Sequence, residues 1–144
     1  ASNRKGMAEC WIRDLPELNQ RRAPGTTCIS ALQDIRRGLD PINNSKGCGG
    51  VMRVAPIALY AVCNNRMSIM DADRLAGDAA EITHQHPLGF ISAALMVHVI
   101  YRLAQDENPT RSSMKDYITE GVEAMRELYG GHYNDVERMA ELAE

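Results

Sequence analysis

Apolar positions in this chain recur at intervals of three and four, and no stretch sustains the period-two alternation of a half-buried strand. Met7, Ala8, Trp11, Ile12 and Leu15 share one helical face. Pro16 ends or bends that helix, because it lacks the N–H the ladder needs. Residues 18–25 are polar and turn-like, with Arg21 and Arg22 read as a solvated charge pair. Thr26 or Thr27 then caps a second helix carrying Cys28, Ala31, Leu32 and Ile35, and Gly38 stands where a helix C-terminal glycine belongs. After a loop over 39–50, apolar residues run from Val51 to Val62. Pro56 is tolerated there only in a first turn or at a kink, so that helix is expected to start late.

The second half repeats the pattern. Asp71 opens a helix with Leu75, Ala76, Ala79 and Ile82 on its apolar side, and Pro87 interrupts the chain after Thr83 to His86. From Leu88 to Leu103 nearly every position is apolar, which predicts a helix buried on most sides. A turn and cap over 108–113 lead into Met114, Tyr117, Ile118, Gly121, Val122, Met125 and Leu128 at helical spacing. Gly130-Gly131 breaks that run, and Val136, Met139, Ala140 and Ala143 form a last short helix. The chain therefore reads as a single all-α segment over 1–144, a multi-helical orthogonal bundle without internal repeat. Both ends stop on helical pattern, so it is expected to be part of a larger helical domain.

Composition narrows the function classes. A chain of 144 residues is long enough for one real core, and a net charge of -3 argues against a general nucleic-acid or membrane-surface binder. The four cysteines show no CxxC spacing; Cys28 and Cys63 lie in apolar runs and read as reduced, buried thiols. There is no signal-peptide pattern, and His98 and Arg102 interrupt the longest apolar run, so a cytoplasmic protein is expected. His98 reads as a core histidine with one hydrogen-bond partner, and His132 as a surface one. The methionines read as core filler, and Glu137, Glu141 and Glu144 as a solvated helix face.

Candidate chemistry gathers around Asn44-Ser45-Lys46-Gly47-Cys48-Gly49-Gly50, three glycines in four positions followed at once by an apolar run. Glycine lets a ligand approach the backbone, and amides converging on a helix N-terminus suit a phosphate. Lys46 and Arg53 add positive charge on either side. Spacing alone favours a plain turn: no Gly-Lys-Ser/Thr follows, as a Walker loop requires, and no strand leads in, as a dinucleotide fingerprint requires. His84, near a helix end in Thr83-His84-Gln85-His86-Pro87, is the best candidate for a ligand-contacting side chain, against the plain alternative of a surface or capping histidine. An HxH metal pair of His84 and His86 is disfavoured, because i and i+2 on a helix do not face the same way. Cys48 has no base identified for a nucleophile and reads as the small residue that fits the turn.

The stretch from Asn44 to Ile57 resembles the central signature of the ADP-ribosylglycohydrolases. That family includes the bacterial dinitrogenase-reductase-activating glycohydrolase and the crystallin J1-like proteins. Two more blocks agree in order: Arg22-Ala23-Pro24-Gly25-Thr26-Thr27-Cys28-Ile29-Ser30-Ala31-Leu32 upstream and Ile82-Thr83-His84-Gln85-His86-Pro87 downstream. The resemblance covers about Met7 to about Tyr129, the middle of such a domain. It implies an all-α hydrolase that cleaves the glycosidic bond of ADP-ribosylated residues with a binuclear magnesium centre. It also implies a site for ADP-ribose made by Asn44, Ser45, Lys46, Gly47, Cys48, Gly49, Gly50, Met52 and His84.

The acidic motifs that hold magnesium in the family are not matched: the chain has no adjacent Asp-Asp pair. Its Asp71-Ala72-Asp73 precedes Arg74 rather than Thr and reads as helix capping. No metal ligand or catalytic residue is therefore assigned, and the chain alone is expected to be inactive. The alternatives are a non-catalytic ADP-ribose or nucleotide-binding module and a helical interaction protein. The chain is also expected to self-associate through the faces of Met7–Leu15 and Met114–Leu128.

Overall fold

The computed structural model describes residues 4–14, 25–64 and 67–143. Seven α-helices and no strand occur among them: α1 Arg4–Asp14, α2 Thr26–Arg36, α3 Ala55–Asn64, α4 Ile69–Glu81, α5 Pro87–Gln105, α6 Arg111–Leu128 and α7 Tyr133–Ala143. The all-α reading is correct. Leu15, Pro16, Arg21 and Arg22 lie outside the described residues, and so does Glu144.

Helix ends follow local chemistry, with three differences from the sequence reading. Gly25, not a threonine, is the N-cap of α2, and no side chain caps it. Both threonines belong to the helix, which leaves the Thr27 hydroxyl free to face the loop. Gly38, at φ 75°, closes α2: its N–H donates to Ile35 C=O at 2.9 Å, and Leu39 N–H donates to Asp34 C=O at 2.9 Å. α4 opens at Ile69 rather than Asp71; Ser68 caps it, and its Oγ accepts from Asp71 N–H at 3.1 Å. Pro87 opens α5 instead of merely breaking the chain, behind His86, whose Nδ1 accepts from Leu88 N–H at 3.0 Å.

Pro56 acts as expected. Its missing N–H confines it to a first turn, so α3 begins only at Ala55, behind a separate 3-10 turn at Val51–Arg53. The glycine loop thus runs into that turn, not directly into an α-helix N-terminus.

α5 is the centre of the bundle, packing on α3, α4, α6 and α7 and on the 3-10 turn. It is long and apolar enough to cross a membrane by length and composition. Here its buried residues, Phe90, Ile91, Ala93, Ala94, Val97 and Tyr101, instead join the core with Ala58 and Ala61 of α3 and Ala72, Ala76 and Ala80 of α4. Alanines at these contacts let the helix backbones approach closely, so α4 and α5 lie tightly together. That pairing fixes the α4–α5 connection, residues 82–86, where His84 sits.

Of the two faces expected to self-associate, each is partly used within the chain. The Trp11 ring lies 4.8 Å from the Arg53 guanidinium, and Val122 and Met125 are in the core. Cys63 is exposed and Cys28 only half-buried, unlike the buried thiols expected from their apolar surroundings. Cys63 falls on the solvent side of α3, and all four cysteines are free.

Candidate functional site

Loop 39–50 folds back over the end of α4 because of one side chain. Asn43 Oδ1 accepts from Ser45 N–H at 3.1 Å and from Gln85 N–H at 3.2 Å, while Asn43 Nδ2 donates to Thr83 C=O at 3.1 Å. Gln85 returns the contact: its Oε1 accepts from Asn43 N–H at 2.8 Å and its Nε2 donates to Pro41 C=O. These bonds tie two segments distant in sequence edge to edge. Their backbone groups would otherwise be unpaired at a half-buried junction.

The loop closes on His84. A methyl group built on Gly49 would lie 2.9 Å from His84 Cε1, 3.1 Å from its Nε2 and 3.3 Å from Cys28 Sγ. One built on Gly47 would lie 3.3 Å from Nε2. Neither glycine has a positive φ, so close approach to the imidazole is what these positions require. Gly89 at the start of α5 serves the same contact: a methyl there would lie 2.9 Å from Ser45 C=O. Ser45 shapes the turn from inside, its Oγ accepting from Gly47 N–H at 3.3 Å and lying 3.5 Å from Thr27 Oγ1.

The sequence-predicted residues therefore divide. Ser45, Gly47, Gly49 and His84 come together, and Gly50 is buried against α4, where a methyl would lie 3.0 Å from Ala80 Cβ. Asn44, Lys46 and Cys48 are exposed on the loop surface. Met52 is 74% exposed on the 3-10 turn and makes no part of the cluster. Arg53, expected to add positive charge beside the loop, is turned inward on the end of α4. Its Nη2 donates to Thr83 Oγ1 at 2.7 Å and to the carbonyls of Ala79 at 2.7 Å and Ala80 at 3.3 Å, at the end of α4. A guanidinium suits carbonyls at this helix end, which carry the negative end of the helix dipole; that of Ala80 also accepts from the N–H groups of Thr83 and His84.

His84 is 3% exposed and its Nδ1 lies 2.8 Å from Thr83 Oγ1. Burial, and after it the nearby Arg53 charge, holds the imidazole below the ordinary histidine value. At neutral pH the ring is thus an uncharged hydrogen-bonding group rather than a cation. Asn43, Thr83 and Gln85 were missed as site-builders by sequence reasoning. The Asn43-Asn44-Ser45 run, with its capacity for a local side-chain turn, was the available signal.

Two depressions flank the loop. One, of about 280 Å³, is lined by Thr26, Thr27, Ser30, Asp34, Asn43 and Ser45. The other, of about 450 Å³, is mostly apolar, with Leu88, Leu95, Met139 and Leu142 behind Lys46. A further groove of about 470 Å³ between α6 and α7 lies apart from all of these residues.

The described residues do not fit a magnesium centre. No three His, Cys, Asp or Glu side chains among them converge on one point. Asp71 is held in the Ser68 cap, but Asp73 is not a capping residue as expected. It is fully buried, with Oδ2 2.7 Å from His98 Nδ1, because the turn of α4 that places Asp71 outside places Asp73 against α5. His86 caps α5, which removes it from any metal pair with His84.

A search of the curated proteins and a search of the solved structures found no match to this chain. The family model for ADP-ribosylglycohydrolase matches residues 2–144, and this chain accordingly belongs to the ADP-ribosylglycohydrolase family.

Proposed function

We propose that the chain binds the ADP-ribose part of an ADP-ribosylated substrate, with the diphosphate against loop 45–50 and His84. The observation that carries this reading is the convergence of Ser45, Gly47 and Gly49 on a buried histidine from the far end of α4, with glycine at the contact positions. A diphosphate needs close-approaching amides and hydrogen-bond donors, and a loop without side chains at Gly47 and Gly49 offers its backbone. Lys46, exposed beside the loop, adds a mobile positive charge.

The flanking depressions suit the rest of the molecule. Hydroxyls of Thr26, Thr27 and Ser30 and the Asp34 carboxylate match a ribose, and the apolar wall behind Lys46 matches a purine face. Within the family reading this segment would hold and orient the substrate. The mechanism open to these residues is positioning: fixing the diphosphate so that the bond to be cleaved is presented in one orientation.

The test is calorimetric titration of the folded chain with ADP-ribose, beside Gly49→Val. Saturable binding is expected for the natural chain and none for the variant, whose side chain would push the loop off His84 and Cys28. Retention of full binding by a folded Gly49→Val would overturn the loop assignment.

A further inference from the structure

We propose that Arg53 and Thr83 are positioning residues that fix the tautomer of His84, leaving its Nε2 as an N–H donor aimed at the loop. This deepens the reading above, and its primary readout needs no ligand. Thr83 Oγ1 has one proton and two lone pairs. Arg53 Nη2, at 2.7 Å, can only donate, so one lone pair is taken. The other polar partner of this oxygen among the described residues is His84 Nδ1, at 2.8 Å. Thr83 is fully buried. If Nδ1 carried the proton, the hydroxyl hydrogen would face no acceptor, and an unpaired buried donor is costly. The arrangement without an orphan has Thr83 O–H donating to a bare Nδ1. The ring proton then sits on Nε2, the edge that faces Gly47 and Gly49.

Arg53 is held for this task from three sides. It rests 4.8 Å from the Trp11 ring centre and ties to the Ala79 and Ala80 carbonyls. Its Nη1 lies 3.9 Å from Cys28 Sγ. It sits just past the glycines in sequence, so one short stretch supplies both the loop and the group that orders the histidine beneath it. The ionisable groups brought near the imidazole are the Arg53 guanidinium from the 3-10 turn and the Cys28 thiol from α2. The loop adds Ser45 and glycines, and α5 adds Gly89. The Arg53 charge also opposes protonation of His84, which keeps the ring in the neutral state where a tautomer is defined.

The experiment is long-range proton–nitrogen correlation of the His84 ring in nitrogen-15-labelled protein, across pH, without ligand. The natural chain is expected wholly as the Nε2–H tautomer, lacking the minor Nδ1–H population of a free imidazole. Arg53→Met frees the Thr83 hydroxyl to turn toward the α4 carbonyls. An Nδ1–H population should then appear, the His84 titration midpoint should rise, and ADP-ribose affinity should fall about tenfold, the scale of one hydrogen bond to a charged group. Arg53→Lys and Thr83→Ser, which keep donor and hydroxyl, should restore the natural tautomer. The Nδ1–H form in the natural chain would overturn the proposal even if every variant failed to fold, and so would an unchanged tautomer and midpoint in folded Arg53→Met. Correct tautomers with no ADP-ribose binding would instead count against the ligand and spare the relay.

Discussion

Two histidines are buried in this bundle to nearly the same degree, His84 at 3% exposed and His98 at 2%, yet their surroundings differ in kind. His98 lies mid-α5 against Asp73 of α4, Nδ1 to Oδ2 at 2.7 Å, with Glu120 of α6 3.7 Å from Nε2. Helix backbone closes over it: a methyl on Gly121 would lie 3.2 Å from its Cδ2 and 2.6 Å from Leu95 Cδ1. His84 pairs with a neutral hydroxyl, and what covers its free edge is a loop of glycines. One histidine is locked by a carboxylate between helices, and the other turns its Nε2 edge to a loop of glycines. Burial alone does not separate structure from function here; the chemistry of the cover does.

Removing the carboxylate should break the comparison most sharply. Asp73→Ala leaves His98 without its partner in the core, and losing one member of such a buried pair costs about 3–5 kcal/mol. His84→Ala removes one hydrogen bond and some packing, about 2 kcal/mol. Denaturant unfolding should show that order, whereas ADP-ribose titration should show the reverse: binding lost in His84→Ala and kept by whatever fraction of Asp73→Ala folds.

The pH dependence of stability should differ in sign between the two regions. Burial first, then Arg53, lowers His84 from 6.5, so below that value the folded state binds fewer protons than the unfolded chain. Its contribution is present above about 6.5 and is lost as pH falls through the lowered value. Burial raises Asp73 from 3.8, against the opposing hydrogen bond and charge of His98. Its contribution is full below about 3.8 and is lost as pH rises through the raised value. Urea midpoints measured across pH should lose the first slope in His84→Gln and the second in Asp73→Asn.

Much of this was legible in the sequence. The apolar pattern located all seven helices, five by an apolar face and α3 and α5 by continuous apolar runs, and Pro56 announced the late start of α3. The glycine loop and His84, chosen from separate stretches, do meet. Direction was not legible. Nothing in the order of residues shows that the proline-enforced 3-10 turn aims Arg53 at the end of α4, or that the Asn43 side chain bridges to Gln85. The Asp73–His98 pair escaped for a related reason. Asp71 and Asp73 look alike as acidic residues opening a helix, and only the packing of α4 on α5 decides that one faces solvent and the other a histidine.

The most direct test of the central claim is chemical-shift mapping of the labelled chain titrated with ADP-ribose. Saturable shifts should concentrate in the amides of loop 45–50 and in the His84 ring, while the His98 ring stays unmoved. Absence of saturable shifts, or shifts confined to the groove between α6 and α7, would contradict the account.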